Sequence, residues 1–73
     1  MARKLRDRNP RLAAIRTLLL AEMVVIEDKR DEYMRLGFGT TEATPEQVAL
    51  LKEEMALLAE AREALRALDR LGA

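Results

Sequence analysis

Four carboxylates stand close together near the middle of the chain: Glu27, Asp28, Asp31 and Glu32. On a helix this spacing forms two pairs of carboxylates four residues apart, and such an oxygen-rich cluster can bind a hard cation. The same spacing is also typical of an acidic surface in contact with water, and this is the interpretation we favour. We therefore predict no metal site.

Residues suited to covalent or acid–base catalysis are scarce. The chain contains no Cys, His or Ser, and its only aliphatic hydroxyls belong to four Thr residues. An activated nucleophile needs a neighbouring base, most often His. The pair Gly37 and Gly39 follows a predicted helix rather than a strand, so it does not match a phosphate-binding loop. The sequence therefore predicts a protein that is not an enzyme and has no cofactor.

Basic residues are concentrated at the N-terminus. Residues 1–16 contain six bases and one acid, whereas the remainder contains seven bases and twelve acids, which makes the net charge zero. A basic segment of this kind can contact the phosphates of RNA or DNA, although no aromatic residue lies within it to stack on bases. The alternatives are a solvated terminus or an arm that lies on the acidic residues 27–32. The candidate nucleic-acid contacts are Arg3, Lys4, Arg6, Arg8, Arg11 and Arg16.

Start and stop signals predict two helices after a basic arm, residues 1–8. Asn9 is a good N-cap, and Pro10 suits the first position of a helix because its missing N–H would be unpaired there. We predict helix 1 over about residues 10–36, ended by Gly37 in the left-handed conformation. Phe38 is then expected to fold back onto Tyr33.

A second start signal follows a loop at residues 37–44. Thr44, Pro45 and Gln47 together form a capping box with proline at the first helical position. Helix 2 is predicted over about residues 45–71. Two helices of equal length joined by a short loop predict an all-α fold in which residues 9–73 form one antiparallel helical hairpin.

Both helices carry two apolar stripes, which is more than one neighbouring helix can cover. The richest segment is residues 18–26, in which Glu22 is the one charged residue. We therefore predict that two hairpins dimerise into a four-helix bundle. The predicted core and interface residues are Leu18, Leu19, Met23, Val25, Ile26, Leu50, Leu57, Leu58, Leu65 and Leu68.

Four charged residues lie within or beside these apolar stripes. In an antiparallel hairpin, residues that face each other have a constant sum of residue numbers, and one register matches Glu22 with Arg62 and Arg30 with Glu54. The same register pairs Ile26 with Leu58. We predict that the two charged pairs bridge helices, within one hairpin or between two, and help to fix the register. The alternative is that their long side chains reach water.

These observations favour a helical protein–protein interaction or regulatory module that acts as a homodimer or with another helical protein. The alternative is a small nucleic-acid-binding regulator that uses the basic arm. The apolar run is interrupted by Arg16 and Glu22, so we predict no membrane segment and no signal peptide. A cytoplasmic location is expected.

Overall fold

The computed structural model describes residues 9–72, which form two helices, α1 (Pro10–Arg35) and α2 (Pro45–Arg70). The two helices pack against each other in opposite directions. Arg16 near the start of α1 contacts Asp69 near the end of α2, and Glu27 further along α1 contacts Arg62. The all-α class and the helical hairpin are confirmed, whereas the four-helix bundle stays a prediction. The basic arm, residues 1–8, lies outside the described residues.

α1 begins at the predicted cap. The Asn9 Oδ1 atom accepts hydrogen bonds from the backbone N–H of Arg11 at 2.9 Å and of Leu12 at 3.4 Å. Pro10 follows at the first helical position. The cap therefore satisfies two of the backbone donors that every helix start leaves without an internal partner.

α1 ends in a Schellman motif at Gly37. The N–H of Gly37 donates to the carbonyl of Met34, and the N–H of Phe38 donates to the carbonyl of Tyr33. Gly37 has a φ of 87°, a conformation that residues with a Cβ rarely adopt. The Tyr33 and Phe38 rings stack with their centroids 4.9 Å apart. The predicted fold-back of Phe38 onto Tyr33 is confirmed.

α2 begins in the predicted capping box. The Thr44 Oγ1 atom accepts from the N–H of Gln47 at 3.2 Å, and the Gln47 Oε1 atom accepts from the N–H of Thr44 at 2.9 Å. Pro45 occupies the first helical position. The two reciprocal hydrogen bonds fix the residue at which the loop becomes helix.

Thr44→Ala should therefore lower the free energy of unfolding by about 1 kcal/mol, because the N–H of Gln47 loses its partner. The measurement is urea unfolding followed by circular dichroism at one fixed protein concentration. The matched control is Thr41→Ala, which removes an equal hydroxyl from an exposed loop residue. Equal midpoints for the two variants would contradict this role of the box.

The core of the hairpin is small. Among the described residues, Leu58 on α2 is the most buried apolar side chain, 2% exposed, and Ile26 on α1 is 6% exposed. The other buried apolar residues are Leu51, Ala61 and Leu68, all on α2. Five buried side chains are few for two helices of 26 residues each, so the hairpin leaves much of its apolar surface in contact with water.

The predicted core and interface residues differ widely in exposure within the hairpin. The buried ones are Ile26, Leu58 and Leu68; the half-buried ones are Leu19, Met23 and Leu65; the exposed ones are Leu18, Val25, Leu50 and Leu57. Ile26 and Leu58, which the predicted register pairs, are thus both buried, and the register itself stays a prediction.

Neither predicted ion pair forms within the hairpin. A guanidinium nitrogen of Arg62 instead lies 3.9 Å from a carboxylate oxygen of Glu27, and a guanidinium nitrogen of Arg30 lies 3.0 Å from a carboxylate oxygen of its neighbour Asp31. Glu22 is five residues before Glu27, which places it about 140° around α1 and away from Arg62. The guanidinium of Arg30 pairs with the carboxylate of Asp31 on its own helix rather than with that of Glu54 on α2. Pairing of these charges between two hairpins stays a prediction.

Within residues 9–72, neither helix is long and apolar enough to cross a lipid bilayer.

Candidate functional site

One side of the hairpin is marked by two ion pairs that join the helices. The Arg16 Nε atom donates to the Asp69 Oδ1 atom at 2.9 Å, and an Arg62 nitrogen lies 3.9 Å from a Glu27 oxygen. The two ion-pair residues of each helix are close to a whole number of turns apart, eleven residues on α1 and seven on α2, so all four face the same side of the molecule. We call this the ionic side. Exposed pairs of this type contribute little to stability, about 0–1 kcal/mol each.

The opposite side of the hairpin is apolar. Two residues along a helix correspond to a rotation of about 200°, so a residue two positions from an ion-pair residue points away from the ionic side. On α1 these residues are Leu18, two positions after Arg16, and Val25, two positions before Glu27.

The same relation holds on α2, where Ala64 lies two positions after Arg62 and Leu71 lies two positions after Asp69. Steps of seven residues, about two turns, lead back from Ala64 to Leu57 and Leu50 on the same side. Both helices therefore present an apolar stripe opposite the ion pairs. We call this surface the apolar face, and it consists of Leu18, Val25, Leu50, Leu57, Ala64 and Leu71.

The side chains of the apolar face are open to solvent. Leu18 is 70% exposed, Leu71 67% and Val25 58%, whereas Leu50 and Leu57 are each a little over 40% exposed. Single exposed leucines are ordinary, but a row of them along both helices of one side is typical of a surface that contacts another protein. Glu22 is exposed and stands between Leu18 and Val25 in the sequence, so one charge interrupts the stripe on α1.

An open groove lies beside the loop that joins the helices. It has a volume of about 340 Å³ and an apolar wall that includes Phe38, Leu51 and Met55. Lys52 is the single titratable residue among its lining residues. Thr40 and Thr41 add two hydroxyl groups to the lining. The groove therefore offers mainly apolar surface with a few polar groups.

The four carboxylates at residues 27–32 do not form a chelating cluster. Two of them have basic neighbours, since Glu27 lies near Arg62 and Asp31 accepts from Arg30. In the part of the chain that the structure describes, no group of three acidic, His or Cys side chains is arranged to hold a metal ion. Asp28 and Glu32 are exposed.

The candidate nucleic-acid residues separate into two groups. Arg3, Lys4, Arg6 and Arg8 lie outside the described residues. Arg11 is exposed in the first turn of α1. Arg16 donates to Asp69, so its guanidinium already has a carboxylate partner.

Sequence reasoning missed the ion pair between Arg16 and Asp69, although a signal for it was present. The predicted register places Arg16 opposite the residue beside Asp69. Arg16 and Asp69 both lie outside the apolar stripes, so the charges within and beside the stripes do not indicate this pair.

No protein-family model, curated protein or solved structure matches this chain.

Proposed function

We propose that this chain is a non-enzymatic helical interaction module that binds a second helical hairpin through its apolar face. The partner is another copy of the chain, and the two hairpins form a four-helix bundle. The observation that carries the proposal is the exposed apolar stripe on the side of both helices opposite the ion pairs. A second hairpin has the length and the width to cover both stripes at once.

Self-association is favoured by the size and charge of the chain. A hairpin with five buried apolar side chains has a marginal core, and the absence of Cys rules out stabilisation by disulfides. Association supplies the missing burial. The net charge is zero, so two copies do not repel each other as whole molecules. On the apolar face, the small side chain of Ala64 is exposed and permits close approach of a further helix.

The mass in solution tests the proposal directly. At micromolar concentration, light scattering should give about 17 kDa, twice the 8.3 kDa of one chain. A mass of one chain would overturn self-association. The partner of the apolar face would then have to be a different helical protein.

Val25→Asp tests whether the apolar face is the contact surface. A buried carboxylate without a partner is costly, so the dissociation constant of the dimer should rise at least about tenfold. The measurement is sedimentation equilibrium, with circular dichroism to show that the variant remains helical.

The chain offers a matched control at the preceding residue. Val24 has the same side chain on the same helix and nearly the same exposure, 55% against 58% for Val25, but it points about 100° away. Val24→Asp should leave the dissociation constant within about twofold of the unchanged protein. Equal weakening by both substitutions would contradict the assignment of the face.

A second candidate function is binding to RNA or DNA by the basic N-terminal segment. The observation that favours it is the excess of bases in residues 1–16, six against one acid. The remainder of the chain is acidic and would repel phosphate, so the binding energy would have to come from this segment. The carboxylate partner of Arg16 makes the bases before Asn9 the main candidates.

Deletion of residues 2–8 tests this second candidate. The deletion removes four bases and one acid per chain and keeps Asn9 and Pro10, so the cap of α1 is preserved. Binding to RNA or DNA should be lost, and each lost phosphate contact should lower the slope of log K against log salt by about 0.9 on duplex DNA. If the full-length chain binds neither nucleic acid at low salt, this function is excluded. If the deleted chain binds as well as the full-length chain, the segment is a solvated terminus.

A further inference from the structure

The two ends of the hairpin differ in charge. The loop half, residues 23–59, contains eight acidic and four basic side chains. The terminal half, residues 9–22 together with 60–72, contains five basic and four acidic side chains, and residues 1–8 precede it with four more bases and one more acid. The hairpin therefore has an acidic end at the loop and a basic end where the chain enters and leaves. This asymmetry bears on how two copies can meet.

Two hairpins joined through their apolar faces can be arranged in two ways. In the parallel arrangement both loops lie at the same end, and α1 of one copy packs on α2 of the other. In the antiparallel arrangement the loops lie at opposite ends, so α1 packs on α1 and α2 packs on α2. Both arrangements satisfy twofold symmetry and cover the apolar stripes equally. Burial alone does not select between them.

Charge selects between the two arrangements, because the distance between packed helices is much shorter than the distance between the two ends of one hairpin. Packed helices lie about 8–10 Å apart, which is close to one Debye length at physiological ionic strength. The two ends of one hairpin are separated by the length of a helix, about 39 Å, several Debye lengths. Each end therefore responds to the charges beside it on the partner and not to those at the far end. The parallel arrangement places two acidic loop halves side by side, whereas the antiparallel one places each beside a basic end.

We infer that the two copies associate in the antiparallel arrangement, with the acidic loop half of each hairpin beside the basic terminal half of the other. This inference rests on the proposed function, since it specifies the geometry of the same apolar face. The side chains of α2 suit it: with the centre of the contact midway between Leu57 and Ala64, large Leu57 faces small Ala64 of the partner subunit. Leu50 then faces Leu71 of the partner subunit, and all of these residues are exposed in the single hairpin.

Disulfide cross-linking tests the arrangement cleanly, because the chain has no cysteine of its own. The three substitutions are Leu50→Cys near the start of α2, Leu71→Cys directly after its end, and Leu36→Cys directly after the end of α1. The three leucines are exposed in the hairpin, so each substitution should leave the fold intact. Single-cysteine chains are unfolded together in pairs, refolded, oxidised and separated on a non-reducing gel.

Two mixtures that share Leu50→Cys give opposite expectations. The mixture of Leu50→Cys with Leu71→Cys should cross-link between chains, because the antiparallel arrangement brings the two ends of α2 together. The mixture of Leu50→Cys with Leu36→Cys should cross-link at least about fivefold less, because those residues are then at opposite ends of the bundle. Predominant linking in the second mixture would establish the parallel arrangement and overturn the inference.

Light scattering on the same samples separates failure of the arrangement from failure of the proposed function. A dimer in which neither mixture cross-links would overturn the antiparallel contact while self-association stands. A monomer would overturn both the dimer and its geometry.

Discussion

Leu58→Ala is expected to lower the free energy of unfolding by about 2–5 kcal/mol. Leu58 is the most buried apolar side chain of the described residues, and Ile26 on α1 is buried as well. Truncation removes three carbons from the centre of a core with few other members, so the surrounding side chains have little means of filling the space. The measurement is urea unfolding by circular dichroism at one fixed protein concentration, since dimerisation makes stability depend on concentration.

Leu20→Ala is the matched control for this substitution. Leu20 is a leucine in the middle of the other helix, 38% exposed and outside the apolar face. The same loss of carbons should cost about 1 kcal/mol or less there, because alanine has the better helix propensity and part of the side chain was already in water. A loss at Leu58 no larger than that at Leu20 would show that the register of the hairpin is wrong.

Gly37→Ala is expected to destabilise the hairpin by about 1–2 kcal/mol, the second largest effect we predict. Gly37 has a φ of 87°, where a Cβ is strained against the adjacent carbonyl. Space is not the cause, because a Cβ at this position would meet only the Thr40 side chain at 3.8 Å. The expected loss comes from the backbone of the Schellman motif and should be seen in the same unfolding measurement.

Gly39→Ala separates backbone strain from loss of loop flexibility. Gly39 is in the same loop, its φ is not positive, and an added Cβ would make an ordinary contact of 3.4 Å with Leu51. Its replacement should change stability by less than about 0.5 kcal/mol or increase it slightly, because alanine restricts the unfolded chain. Similar losses at the two glycines would contradict the argument from φ.

The helix boundaries could be predicted from the sequence because they depend on neighbouring residues. The side chain of Asn9, the box of Thr44 with Gln47, and Gly37 each act on backbone groups within a few positions. Each of these signals can therefore be recognised in a short window of sequence. The helices end at Arg35 and Arg70, one residue before the predicted limits, because the residue that follows each is the cap.

The candidate site was less predictable, because it depends on how the helices are turned toward each other. The apolar stripes could be found by their spacing, but which stripe is buried in the hairpin and which is exposed depends on that rotation. The same holds for charge: Arg62 contacts Glu27 rather than Glu22 because only Glu27 lies on the ionic side. A constant sum of residue numbers describes height along the hairpin and contains no information about direction around each helix.

The local encoding of the turn has a kinetic consequence. The Schellman motif, the loop and the capping box place every signal for reversing the chain between Tyr33 and Gln47. Closing a loop of about ten residues takes about 10–100 ns, and helices form on the submicrosecond to microsecond scale. The contacts between α1 and α2 then extend from that turn outward, as in other helical proteins of low contact order that fold quickly. Collision of two preformed hairpins is second order in protein concentration, so dilution should slow assembly without slowing formation of the hairpin itself.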